Sequence, residues 1–139
     1  MISLDSSVDS QILAMLREKY KIILLSSNSF SNIIRVLNHL DIPISLFDEI
    51  ICSDQYSFEG GFKKREAFLY LRKSYRLSIG EILSIGDRYE TDVLPCLRCG
   101  GDGVVSYKPM SINKIAMDII NDSLHSCSEY SFVKDISTI

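Results

Sequence analysis

Four short, nearly continuous apolar runs, each set against stretches of helical periodicity, limit what this chain can become. They are Lys21-Ile22-Ile23-Leu24-Leu25, Glu49-Ile50-Ile51-Cys52, Glu81-Ile82-Leu83-Ser84-Ile85 and Gly103-Val104-Val105-Ser106-Tyr107. A run that is apolar at successive positions, rather than at every second one, suits a strand covered on both faces. Around these runs apolar residues recur three and four apart. Val8, Ile12, Leu13 and Leu16 do so before the first run, and Ile33, Ile34, Leu37 and Leu40 after it. Ala67, Phe68, Leu71 and Tyr75 continue the pattern within 63–75, and shorter helices are expected over 90–98 and 111–119. Ser111 reads as the cap of the last helix. Tyr130-Ser131-Phe132-Val133 reads as a final short strand. Strand and helix alternating at this rhythm predict an α/β fold: a Rossmann-like, three-layer α/β/α sandwich with a mostly parallel sheet and no cap domain. The 139 residues make one domain, 1–139, large enough to bury roughly two-thirds of the surface its unfolded chain exposes.

Charge and composition exclude several function classes. Fifteen basic and 18 acidic residues give a net charge of −3, which lacks the electrostatic footprint of a nucleic-acid binder. No apolar run approaches the roughly 20 residues that span a bilayer, so no membrane partner is expected. Met1-Ile2-Ser3-Leu4-Asp5 carries neither a basic segment nor a long apolar stretch, so no secretory signal is read there. Cys52, Cys96, Cys99 and Cys127 are too few for a disulfide scaffold and are expected as reduced thiols in a cytoplasmic protein. Cys96 and Cys99 have the spacing of a redox or zinc pair. They fall late in a short helix with no second pair or histidine beside them, so packing is their expected role.

In a parallel α/β sheet, ligands bind beyond the carboxyl ends of the strands. The first such end is Ser26-Ser27-Asn28-Ser29, where hydroxyls and unpaired helix N–H groups suit an anion; the plainer reading is a helix cap. The second lies near Gly60-Gly61, where Lys63 and Lys64 open a helix. Cations there oppose the helix dipole, which is tolerable if one reaches an anion; the plainer reading is a solvated basic turn. The third is Gly86-Asp87-Arg88-Tyr89-Glu90-Thr91-Asp92. Two acids at one strand end suit a hard divalent cation such as magnesium, although each could also be a loop or cap acid.

Taken together, these stretches resemble the haloacid dehalogenase-like hydrolase superfamily, in its phosphoglycolate-phosphatase-like branch, over nearly the whole chain. Leu24-Leu25-Ser26-Ser27-Asn28-Ser29 resembles the second family motif, which implies that Ser27, with Asn28 beside it, binds the transferred phosphoryl group. Lys64, or alternatively Lys63, resembles the third-motif lysine that balances phosphoryl charge. Gly86 to Asp92 resembles the fourth motif, which implies Asp87 and Asp92 as the magnesium-holding acids. Leu46-Phe47-Asp48-Glu49-Ile50-Ile51-Cys52-Ser53-Asp54 also reads like this branch.

The family's first motif, a strand ending in Asp-x-Asp that carries the nucleophile and the general acid/base, is not found. Ser3-Leu4-Asp5 comes nearest, with Asp5 in the place of the second acid and Ser3 in that of the nucleophile. The alternative, which fits the two preceding residues better, is that Leu4-Asp5 leads into the first helix and that the chain starts after the family's first strand and cap. In the family that strand lies between the strands read here at 21–25 and 82–85. Its absence would leave backbone edges open, at about 1–3 kcal/mol for each buried unpaired group, and would invite a second copy or a complementing chain. The resemblance thus implies a magnesium-dependent phosphatase acting on a small phosphorylated metabolite, with its nucleophile unidentified. The competing expectation is a non-catalytic phosphate- or metal-binding relative or an interaction module, that is, a pseudoenzyme or fragment.

Overall fold

A computed structural model describes residues 9–54, 63–78, 80–107 and 111–134. Its contacts group into two compact units. The first holds α1 (Ser10–Arg17), β1 (Ile23–Leu25), α2 (Phe30–His39), β2 (Glu49–Ile51) and α5 (Ser111–Ile120). The second holds α3 (Lys64–Ser74), β3 (Leu83–Gly86), α4 (Leu94–Arg98), β4 (Asp102–Ser106) and β5 (Tyr130–Val133).

In the first unit, Asp9 caps α1 by accepting the Gln11 N–H at 2.8 Å, and Ser29 caps α2 by accepting that of Asn32. Both satisfy donors that a helix start leaves unpaired. The periodicity of each helix turns Leu13, Ile33 and Leu37 onto a shared core with Ile42 and Cys52, against which Leu24, Ile50 and Ile112 pack. β1 and β2 run parallel, with Ile23 opposite Glu49 and Leu25 opposite Ile51. Asp48 secures the entry to this pair. One carboxylate oxygen accepts the Ile22 N–H at 2.8 Å and the other accepts Arg17 at 3.2 Å. The short 3-10 turn Ile44–Leu46 after Pro43 was not foreseen from the apolar pattern.

In the second unit, β3 and β4 run parallel and β5 joins the far side of β4 antiparallel. Phe68, Leu71, Val93, Cys96, Leu97, Val104 and Tyr130 are buried there. α3 packs on α4, and Arg72 donates to the Cys99 carbonyl at 2.7 Å just past the end of α4. The α/β class matches the sequence expectation. The single sheet does not appear among the described residues: the strands form two sheets, β1–β2 and β3–β4–β5, and the second is mixed. Among the described residues β1 has β2 as its only strand partner and β3 has only β4. All residues of β1 and β3 are half-buried.

Several helices end in the same closing turn. Ile42 N–H bonds to the Leu37 carbonyl, Leu77 N–H to that of Arg72, and Ser123 N–H to that of Asp118. Each turn needs a left-handed residue, and Asp41, Arg76 and Asp122 supply it at φ of 54°, 53° and 53°. A side chain at that φ is strained where glycine is not. The exposed Arg76 is the cleanest test. Arg76→Gly is expected to stabilise the protein by up to about 1 kcal/mol, read as a higher urea midpoint at unchanged slope.

Candidate functional site

The residues named from the sequence fall into two clusters. In the first unit, the chain leaving β1 makes a polar turn in which the Ser26 hydroxyl accepts the Asn28 N–H at 3.1 Å. Ser29, not Ser27, is the cap of α2. Ser27 and Asn28 are exposed. The helix start has a further partner that the sequence did not reveal. From the end of β2, Asp54 reaches back and accepts the Phe30 N–H at 2.9 Å and the Cys52 thiol at 3.3 Å. The Phe30 N–H and then the Cys52 thiol hold the Asp54 carboxyl below its ordinary pKa. The α2 N-terminus therefore already carries a carboxylate, and an incoming anion would meet Ser27 and Asn28 rather than bare helix N–H groups. The signals for Asp54 in the sequence are its position three residues after the end of β2 and its place in the family-like stretch Leu46 to Asp54.

The second cluster gathers at the carboxyl end of β3. Beyond Gly86 the chain makes a π-turn, Tyr89–Val93, before α4 begins. Asp92 projects from this turn and Lys64 from the first turn of α3, and they meet with Nζ 2.5 Å from Oδ1. Their side chains are only 24% and 13% exposed, so the pair is shielded. The other Asp92 oxygen accepts the Arg88 N–H at 3.2 Å. Burial works against the charged form of Asp92. The Lys64 hydrogen bond and charge, the Arg88 N–H and a hydrogen bond with Asp87 outweigh it and hold the carboxyl below its ordinary pKa. Asp87 itself is exposed. Of the two lysines, Lys64 meets this cluster, whereas Lys63 stands exposed as the residue before α3.

Gly86 makes the arrangement sterically feasible. A Cβ there would lie 2.3 Å from the Cβ of Asp92 and 2.8 Å from its Oδ2. The close neighbour of this glycine is Asp92.

Magnesium asks for oxygen ligands and commonly keeps several waters, taking one or two carboxylates from the protein. Among the described residues no group of three or more His, Cys, Asp or Glu side chains converges. Asp87 lies close enough to Asp92 to influence its carboxyl, and a cation beside them would relieve the repulsion between two charged carboxylates. Two neighbouring carboxylates are the kind of protein donor set that magnesium takes, with waters and a ligand's oxygens completing its shell.

Asp5 and the Gly60-Gly61 pair lie outside the described residues, as does any capping by the Ser111 side chain. The four cysteines are free thiols; Cys96 lies against the Asp102 carbonyl and Cys99 against that of Arg65. Burial raises the Cys99 pKa, which opposes a reactive thiolate. A surface groove of about 430 Å³, lined by Arg17, Lys19, Tyr20, Lys21 and Asp48 among others, contains none of Ser27, Asn28, Lys64, Asp87 and Asp92. Arg17 is engaged with Asp48 and Lys19 with the Ile120 carbonyl. Among the described residues no helix is long and apolar enough to cross a membrane.

No family model matches the chain, and no curated protein matches it. Solved structures do. The chain resembles a haloacid dehalogenase-like family hydrolase from Xanthomonas campestris with a TM-score of 0.58 at 15% identity, over 81% of this chain and 50% of that one. It also resembles an uncharacterized protein from Listeria monocytogenes serotype 4b with a TM-score of 0.55 at 21% identity, over 71% of this chain and 58% of that one. The chain therefore spans 50% and 58% of the length of these two structures. At such identities the likeness is one of fold: this chain shares an α/β architecture with a haloacid dehalogenase-like hydrolase.

Proposed function

We propose that this chain is a haloacid dehalogenase-like hydrolase core of the phosphoglycolate-phosphatase-like branch, built for magnesium-dependent work on a small phosphorylated metabolite. The observation that carries the reading is the shielded Lys64–Asp92 pair with Asp87 beside it at the end of β3. In this reading residues 1–139 form one Rossmann-like core domain without a cap, in a cytoplasmic setting suited to reduced thiols. Ser27 and Asn28 bind phosphoryl oxygens. Lys64 offsets the phosphoryl charge, and Asp87 and Asp92 hold the cation. Magnesium, when bound, supplies positive charge to the phosphoryl oxygens. Lys64, drawn toward Asp92 in the free protein, keeps its ammonium fixed, so little reorganisation is needed when an anion arrives. Asp5, in the sequence stretch most like the family's first motif, is assigned proton transfer, and the nucleophile is unassigned.

The test is magnesium-dependent hydrolysis of p-nitrophenyl phosphate, run beside Asp87→Asn. Turnover by the wild type that falls at least roughly 100-fold in the variant is the expected result. Equal turnover by both would mark a contaminant and count against the reading. A second reading rests on the missing Asp-x-Asp: a non-catalytic relative that binds phosphate and metal and acts through protein contacts. It predicts no turnover, with a thermal midpoint that still rises when magnesium and phosphate are added together. Failure of both measurements would discard both readings.

A further inference from the structure

One face of the β3–β4 pair is shaped to receive the π-turn. Ser84 and Gly86 are two residues apart on β3 and so share a face, and Gly103 on β4 lies opposite Ser84 in register. The turn is seated there by three close approaches. Ser84 Oγ donates to the Asp92 carbonyl at 2.6 Å. A Cβ on Gly86 would strike Asp92, and a Cβ on Gly103 would lie 2.2 Å from Cγ1 of Val93, which is fully buried. The two glycines only make room. Ser84 is the member of this cradle that grips, because its hydroxyl bonds the backbone of the residue whose carboxylate meets Lys64. A π-turn departs from regular helical hydrogen bonding, so a side chain that fixes one of its carbonyls has unusual leverage over where its residues point.

We infer that Ser84 is a positioning residue: by holding the Asp92 carbonyl on β3 it sets the Asp92 carboxylate against Lys64 and beside Asp87. The inference rests on the cation-site reading for its functional meaning, though not for its geometry. Groups that orient a metal-holding carboxylate commonly change metal affinity by 10- to 100-fold when removed. Manganese serves as the probe, since it broadens amide resonances near its site. Ser84→Ala is expected to weaken manganese binding about tenfold, and to speed amide exchange at Asp92 and Leu94 while β4 exchanges as before. Ser84→Thr, which keeps the hydroxyl, is expected to restore both; a residue needed only for packing would show no such rescue.

Wild-type manganese affinity and wild-type exchange in a folded Ser84→Ala protein would overturn the inference. So would a Ser84→Thr protein as impaired as Ser84→Ala. Should the wild type bind no manganese, the cation reading fails by itself. The exchange data then decide the positioning role: acceleration rescued by threonine supports it, and unchanged exchange refutes it.

Discussion

On the proposed phosphatase function, Lys64→Met is expected to abolish any thermal stabilisation by magnesium and phosphate together and to lower phosphomonoester turnover at least roughly 100-fold. Methionine keeps most of the stem's length and packing but removes the ammonium that lies 2.5 Å from Asp92. Two effects follow. An anion arriving at the β3 end loses its fixed counter-charge. The Asp92 carboxylate, 13% exposed, is also left without its main partner, at about 1–3 kcal/mol. The pH dependence of stability separates the second effect from the first. The Asp92 carboxyl lies below its ordinary value in the folded protein, so its contribution is fully present above the unfolded value of about 4. It is lost as the pH falls through the lower folded value. Between about pH 6 and pH 3 the wild type should therefore lose more stability than Lys64→Met, whose Asp92 titrates nearer the ordinary value. Urea midpoints across that range check this, and parallel curves for the two proteins would refute the role given to the pair.

Gly86→Ala is expected to cost about 3 kcal/mol and to separate Lys64 from Asp92. The added Cβ would meet the Asp92 Cβ at 2.3 Å and its Oδ2 at 2.8 Å. A Cβ cannot rotate away, because both atoms are fixed to backbone. Relief requires the π-turn to lift from β3, and that movement also stretches the Ser84 hydroxyl from the Asp92 carbonyl. Urea unfolding would show a lower midpoint, and manganese broadening around Asp87 to Asp92 would weaken with it. A variant as stable as the wild type with the same manganese response would show that the turn yields freely, contrary to the packing described here.

Much of the site was visible in the sequence because its parts are local. An apolar run ending in Gly-Asp, with a second acid five residues on, is written within eleven residues and needs no tertiary information. The same holds for Ser27 and Asn28 after Leu25 and for Lys64 at a helix start. The helices were equally legible, since the spacing of Leu13 and Leu16, or of Ile33 and Leu37, states which side faces inward. What stayed hidden involves partners far apart in sequence. Asp54 engages Phe30 across 24 residues, and Lys64 engages Asp92 across 28. Ser84 looked like the one polar interruption of an apolar strand, and its purpose emerges only once the π-turn lies on the same face.

By itself, the sequence determined where the main helices and strands lie, that the fold is α/β, and which strand ends carry the candidate site residues. Side-chain periodicity and strand-end composition encode these, and both are properties of neighbours along the chain. Tertiary structure alone decided strand partnership and pair geometry. The runs at 22–25 and 82–85 are apolar enough to be buried on both faces, yet β1 pairs with β2 and β3 with β4 in separate sheets among the described residues. An apolar run encodes its tendency to leave water, which has no direction. Which edge hydrogen-bonds to which strand, and whether a lysine reaches one carboxylate or another, depend on backbone placement that no single segment contains.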